Sequence, residues 1–353
     1  MTTNRIEQIA NAVLYEGYML YPYRPSAVKN RQRWNFGVLY PRAHSESQRG
    51  NDLWKMQTEC LMTGKRNTEV SVKVRFLQAI ARTIAELKEP IREVAPGESP
   101  KLKPVESLRA GNQVLQGWQE ATEREVSLPC RSLKTLVSGG ITHYFTFPAK
   151  REMELVRDDG GLIVGAIVRA QDEIHGQIEL QAVHVQERTC KLTLRVSNTT
   201  MVAGKTESRE SLLQHSLIST HSILTVHGGD FISLLEPPEE VRELAAACQN
   251  VGTWPVLVGE ENQRNAMLSS PIILYDYPQV APESPGDLFD GGEIDEILSL
   301  RIMTMTDEEK QEMRETDERT RKILERTENL PEEQLMKLHG ALRGLRNAKG
   351  ETL

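Results

Sequence analysis

Residues 175–200, HGQIELQAVHVQERTCKLTLRVSNTT, decide the fold class. In the first half, Ile178, Leu180, Ala182, His184 and Gln186 fall on one face, and Glu179, Gln181, Val183 and Val185 fall on the other. In the second half, Cys190, Leu192, Leu194 and Val196 alternate with Lys191, Thr193, Arg195 and Ser197. A two-residue period marks a strand that buries one face. Residues 139–148, GGITHYFTFP, and 160–170, GGLIVGAIVRA, precede it with strand signals of their own. Successive strands separated by glycine and charge favour an antiparallel sheet or sandwich over alternating βαβ units.

On the N-terminal side, Ile6 to Tyr15 has a helical periodicity, and Trp34 to Tyr40 alternates weakly as a strand. Val70, Val72, Val74 and Phe76 alternate with polar residues and predict a half-buried strand, and Leu77 to Leu87 reads as helix. The prolines and charges of residues 89–107, EPIREVAPGESPKLKPVES, predict a linker or long surface loop. On the C-terminal side, Glu239 to Cys248 predicts a helix after Pro237-Pro238, and the last 48 residues read as helical. Thr306 with Glu309 three residues on forms a capping box, and Leu335, Leu338, Leu342 and Leu345 form a late apolar face. The expected class is α+β, with a β-rich central antiparallel sheet or sandwich and a helical C-terminal section. The expected divisions are a small mixed unit at 1–90, a linker at 91–104, a β-rich domain at 105–236, and a mixed to helical region at 237–353 that carries an acidic arm at 278–296.

A chain of 353 residues has ample material for a core. No apolar run is long enough to cross a bilayer, and MTTNRIEQIANAV lacks an apolar signal core, so a cytoplasmic location is expected. The net charge of -7 argues against nucleic acid and anionic membrane as partners. Cys60, Cys130, Cys190 and Cys248 form no CxxC pair and read as reduced thiols. The glycine pairs, Gly228-Gly229 among them, read as tight turns, because none sits in a phosphate-binding motif. Ser216 and Ser219 lie near histidines but outside any GxSxG pattern. No motif identifies a reaction, so the chain is expected to be noncatalytic and to need no cofactor.

Three constellations stand out. Five of the eight tyrosines lie between Tyr15 and Tyr40, in a segment that also holds Arg24, Arg31, Arg33 and Trp34. Tyrosine and arginine suit buried polar junctions and protein interfaces alike, and Tyr18, Tyr21, Tyr23, Arg24, Arg31, Arg33, Trp34 and Tyr40 are the candidate interface. The second constellation has six carboxylates and no lysine or arginine between Glu283 and Glu296. Asp287, Asp290, Glu293 and Asp295 suit a basic partner or the start of a helix, and the Tyr/Arg segment of the same or another copy is one such partner. The third is His215, His221 and His227, which read as ordinary structural or surface histidines. Their alternative is a transition-metal site, with Cys248 as a distant fourth ligand, in a metalloenzyme or metal carrier. Spread along one strand they span about 40 Å, so a single site needs turns between them.

Two blocks, VLYEGYMLYPYRPSAVKNRQRWNFGVLYP and SSPIILYDYPQVAPESPGDLFDGGEIDEILSLR, resemble an uncharacterised bacterial family encoded beside uptake nickel–iron hydrogenases. The resemblance covers the N-terminal block and much of the chain after His215. It implies an accessory, assembly or scaffold role with a protein partner, either a hydrogenase subunit or a maturation protein. It carries no catalytic residue. A homo-oligomer is the alternative that the Tyr/Arg segment and the acidic arm of another copy suggest.

Overall fold

The computed structural model describes residues 2–338 apart from positions 26, 32, 49–51, 96–99, 112, 203–207, 282, 283, 285 and 292, and apart from the side chains of residues 2–4, 28, 31 and 332. Glu283, the Arg31 side chain, and Leu342 and Leu345 of the expected late apolar face therefore lie outside the described residues.

Helices α1 (Thr2–Tyr15), α2 (Val28–Arg31) and α3 (Arg42–Ser47) precede a long strand, β1 (Lys55–Ile91). Next come β2 (Leu102–Val105), β3 (Ser107–Ala110), β4 (Gln113–Gln116), β5 (Trp118–Ser132) and α4 (Leu133–Ser138). Strands β6 (Ile141–Phe147), β7 (Lys150–Arg157), β8 (Ile163–Gln171), β9 (Ile174–His184) and β10 (Thr189–Asn198) follow. After α5 (Arg209–Gln214), the chain forms β11 (Ile218–Ile232), α6 (Arg242–Ala246), β12 (Trp254–Leu257) and β13 (Ala266–Ser270). Helices α7 (Asp295–Met303), α8 (Asp307–Thr316), α9 (Glu318–Glu328) and α10 (Glu332–Lys337) are the last elements among the described residues.

The fold is α+β, as expected. An 11-stranded antiparallel sheet runs in the order β12-β13-β11-β1-β10-β9-β6, with β2, β5 and β8 also on β1 and β7 on β8. The alternation that opened the reading is realised as the β9–β10 pair, with Leu180 opposite Leu194 and Ala182 opposite Leu192.

Strand β1 is the spine of the sheet. Its first part pairs with β10 from Lys55 to Thr63. Its middle lies between β11 and β5, and its last part pairs with β8. The register breaks between Gly64 and Glu69, opposite Gly229. A Cβ on Gly229 would lie 2.4 Å from the Thr63 carbonyl oxygen. The Gly228-Gly229 pair, read as a turn, instead lies inside β11 where two backbones close together.

The helix expected at Leu77 to Leu87 is strand. Phe76, Leu77, Gln78 and Ala79 are all buried, so both faces of β1 are covered here and the two-residue period is erased. Alanine, leucine and glutamate then leave only their helix propensity to be read. The division expected at 91–104 also shifts. Because β1 reaches Ile91 and pairs with β2, β5 and β8, residues 55–91 share one sheet with the strands of 105–236 other than β3 and β4, which form a two-stranded sheet of their own. By internal packing the chain divides into Met1–Gly17 with Trp34–Gln279, and Tyr18–Arg33 with Val280–Leu353.

In the first unit one apolar cluster takes Cys60, Val74 and Phe76 from β1, Leu128 from β5, Phe145 from β6, Ile178 from β9, Leu194 from β10 and Leu224 from β11. A second cluster seats Ile9, Ala10 and Val13 of α1 on Ile223, Val256 and Leu268. The weak strand expected over Trp34 to Tyr40 is reduced to a single bridge, Leu39 to Leu217.

Candidate functional site

In the second unit the Tyr/Arg segment is largely interior. Tyr18 and Tyr23 are 1% and 0% exposed. The Tyr23 hydroxyl donates to the Leu288 carbonyl at 2.7 Å, and Tyr18 donates to Asp317 at 2.7 Å. Tyr18 also meets Phe289 edge to face at 5.5 Å. Arg33 is buried and donates to the Tyr18 carbonyl at 2.6 Å. Burial pushes both phenols up, and Asp317 adds to the shift of Tyr18 while Asp290 adds to that of Tyr23. Tyr18, Tyr23 and Arg33, expected to face a partner, thus form part of the unit's own packing. Arginine and tyrosine can satisfy hydrogen bonds at such a junction while burying apolar area.

The acidic arm meets cations of the C-terminal helices, while Arg24 of the Tyr/Arg segment turns to glutamates outside the arm. Arg24 pairs with Glu309 at 3.2 Å and Glu312 at 3.7 Å on α8. Arg326 of α9 donates to the Asp287 carbonyl at 2.7 Å. Arg301 of α7 pairs with Glu293 at 3.2 Å and lies 5.3 Å from the Tyr21 ring centre. Asp287 accepts from the Phe289 amide, and Asp295 opens α7, where a carboxylate suits the helix start. The Asp290 carbonyl accepts from the Glu293 amide at 3.3 Å and closes the turn. Both sequence blocks that carry the family resemblance therefore contribute to one packed unit.

The three histidines occupy different settings. His215 caps the end of α5 and lies 3.6 Å from Asp172. His221 is fully buried in β11, its Nδ1 at 3.0 Å from the Ser219 carbonyl, and burial pushes its pKa down to about 4. His227 is exposed farther along the same strand. Six residue steps along the strand separate His221 from His227 by roughly 20 Å. Among the described residues no group of three or more His, Cys, Asp or Glu is placed to hold a metal ion.

The sequence reading missed a surface of the first unit. Here the chain leaves β13 as a strap, residues 271–277, PIILYDY. Its alternate residues point inward and are pinned. The Ile272 amide donates to Ser270 at 3.0 Å, and Leu274 packs on the α1 cluster. Asp276 accepts from the Leu257 amide at 2.7 Å and from the Ser233 hydroxyl. The Tyr277 amide donates to the Leu257 carbonyl at 2.7 Å. The residues between them, Ile273 and Tyr275, are 73% and 87% exposed. Large apolar side chains held outward on an anchored backbone have the form of an interface anchor.

Pro271, the first residue of the strap, also lines a depression of about 680 Å3 together with Phe36, Tyr40, His44, Arg209 and Trp254. Phe36 and Trp254 are partly exposed there. His44 Nε2 lies 2.8 Å from Asp52 Oδ2, and Arg209 donates to the Asn35 side chain at 2.6 Å. Trp34, named with the interface, is 1% exposed, and its carbonyl accepts from Arg209. Burial raises the Tyr40 pKa against the opposing charge of Arg209, so its phenol stays neutral and able to donate. Gly37 holds the wall close: its φ is +54°, and a Cβ would lie 2.7 Å from Pro271 Cγ. The depression offers aromatic area and hydrogen-bond donors, which suits binding. Alternation over residues 271–277 was readable in the sequence as Ile273 and Tyr275 against Leu274 and Asp276.

No protein-family model matches the chain, and no curated protein sequence matches it significantly. Among the described residues no helix is long and apolar enough to cross a membrane.

Proposed function

We propose that this protein is a noncatalytic accessory or assembly protein whose partner is a subunit or maturation protein of an uptake nickel–iron hydrogenase. The observation that supports binding is the anchored strap, which carries Ile273 and Tyr275 at 73% and 87% exposure. Its backbone is already ordered by Asp276 and Tyr277, so little conformational entropy remains to be lost on docking. Tyrosine combines apolar area with a polar tip and is enriched among residues that dominate binding energy. The identity of the partner comes from the resemblance, whose second block supplies the strap.

Tagged protein recovered from native cells tests this reading. Hydrogenase subunits or maturation proteins should co-purify with the natural chain and be lost with the Ile273→Ser, Tyr275→Ser double variant. Unchanged recovery with the double variant contradicts it. A fall in oligomeric mass instead assigns the strap to contacts between copies of this chain.

A further inference from the structure

A second feature of the first unit lies on the face shared by β5, β1, β8 and β7. A small cavity of about 230 Å3 is lined there by Thr122, Arg124, Lys150, Glu152, Arg169 and Gln171, with Ile80 at its side. Strand periodicity gathers them: Gln78 sits opposite Thr122, Lys150 opposite Gln171, and Glu152 opposite Arg169.

Arg124 is the unusual member. Its Nε donates to Gln78 Oε1 at 2.7 Å. Gln78 is 0% exposed, and its own amide nitrogen is fixed by the Asp172 carbonyl at 2.7 Å. The guanidinium also lies 4.7 Å from the Phe147 ring centre. One nitrogen is therefore held by a buried amide and one face by an aromatic ring, which orients the remaining two nitrogens.

The surrounding charges are matched. Lys150 pairs with Glu152 at 2.5 Å. Arg169 pairs with Glu120 and Glu154, each at 2.8 Å. Arg82 reaches Glu120 at 3.7 Å. Arg124 forms no ion pair among the described residues. Its partial burial disfavours the charged form and holds its pKa below the usual guanidinium value. An arriving anion would offset that cost.

We infer that this cavity is a binding site for a phosphate-type oxyanion, received by the free fork of Arg124 with Lys150 and Thr122 beside it. A guanidinium fork matches two oxygens of a phosphoryl group, and a lysine adds a point charge. The cavity is smaller than the roughly 300 Å3 at which ordinary small-molecule pockets begin, so it suits an anionic group rather than a whole nucleotide. The site is independent of the proposed partner-docking role.

Calorimetric titration of the full chain with inorganic phosphate, in low-salt buffer free of other oxyanions, tests the inference. One saturable site per chain is expected. Arg124→Gln should weaken binding tenfold or more, and Lys150→Gln severalfold. Arg151→Gln should bind as the natural chain does, because Arg151 is exposed on β7 and does not line the cavity. Glycerol 3-phosphate binding more tightly than phosphate assigns the site to an ester, and equal affinity assigns it to the free anion. Absence of saturable binding, unchanged affinity in Lys150→Gln, or equally tight binding of acetate overturns the inference. The exposed Lys150 variant keeps the test decisive if Arg124→Gln fails to fold.

Discussion

At the scale of single residues, two kinds of buried polar group set the chemistry. Tyr23 donates its hydroxyl to the Leu288 carbonyl, so Tyr23→Phe removes the donor and leaves that acceptor without this partner. The expected loss is about 1–3 kcal/mol in a urea unfolding curve. The phenols of Tyr18 and Tyr23 titrate above their ordinary value of 10.0 because burial disfavours the phenolate. Their contribution is whole below pH 10 and falls above it, since the unfolded chain ionises first. Stability measured through this alkaline range should fall less steeply in Tyr23→Phe than in the natural chain. His221 acts at the other end of the scale. Its pKa drops from 6.5 to about 4, with burial the largest cause and the Arg75 charge adding to it while Glu7 opposes. The folded state then binds fewer protons than the unfolded state between those values. Stability is whole above pH 6.5 and is lost as pH falls towards 4, by roughly 3 kcal/mol. The difference between the natural chain and His221→Leu should shrink by that amount across the window, and a parallel pH dependence would contradict the assignment.

At the scale of elements, what was legible depended on whether one face meets water. Strands β9 and β10 alternate because their outward residues are polar, and they stand where expected. Beyond Val74 strand β1 stops alternating, because Phe76 through Ala79 are all buried, so the helix-forming composition that follows misled. The capping box at Thr306 is local chemistry, and it forms: Glu309 donates its amide to Thr306, and the Thr306 amide donates back to Glu309. Thr306→Ala should lower stability by about 1 kcal/mol, read from a denaturant midpoint at constant slope. The Tyr/Arg segment could not be placed from sequence. Its composition fits an interface and an interior junction equally, and only long-range contacts such as Tyr23 to Leu288, 265 residues apart, decide between them. The strap was legible in part. Its alternation was visible, but its pins lie in distant residues, Ser233 and Leu257. Asp276→Ala removes the side-chain contacts to Ser233 and the Leu257 amide, leaving the Tyr277–Leu257 backbone bond, and should weaken partner capture even though Ile273 and Tyr275 remain.

At the scale of the whole molecule, the α+β class followed from one stretch of alternation, whereas the division into units did not. A single strand, β1, serves as the spine for segments before and after the expected linker. Charge composition pointed to a basic–acidic contact. Within the second unit Arg301 pairs with Glu293 of the arm, Arg326 holds the Asp287 backbone carbonyl, and Arg24 pairs with glutamates of α8, which leaves the outward strap as the better candidate for binding. Binding of purified hydrogenase subunits and maturation proteins to the immobilised chain tests that claim most directly. Loss of two anchoring side chains, at about 2 kcal/mol or more each, should weaken capture by well over tenfold in the Ile273→Ser, Tyr275→Ser variant. Arg24→Ala, which removes a partly exposed ion pair, should leave affinity near its natural value. Full affinity in the strap variant together with loss in Arg24→Ala would contradict the account and return the interface to the tyrosine and arginine segment.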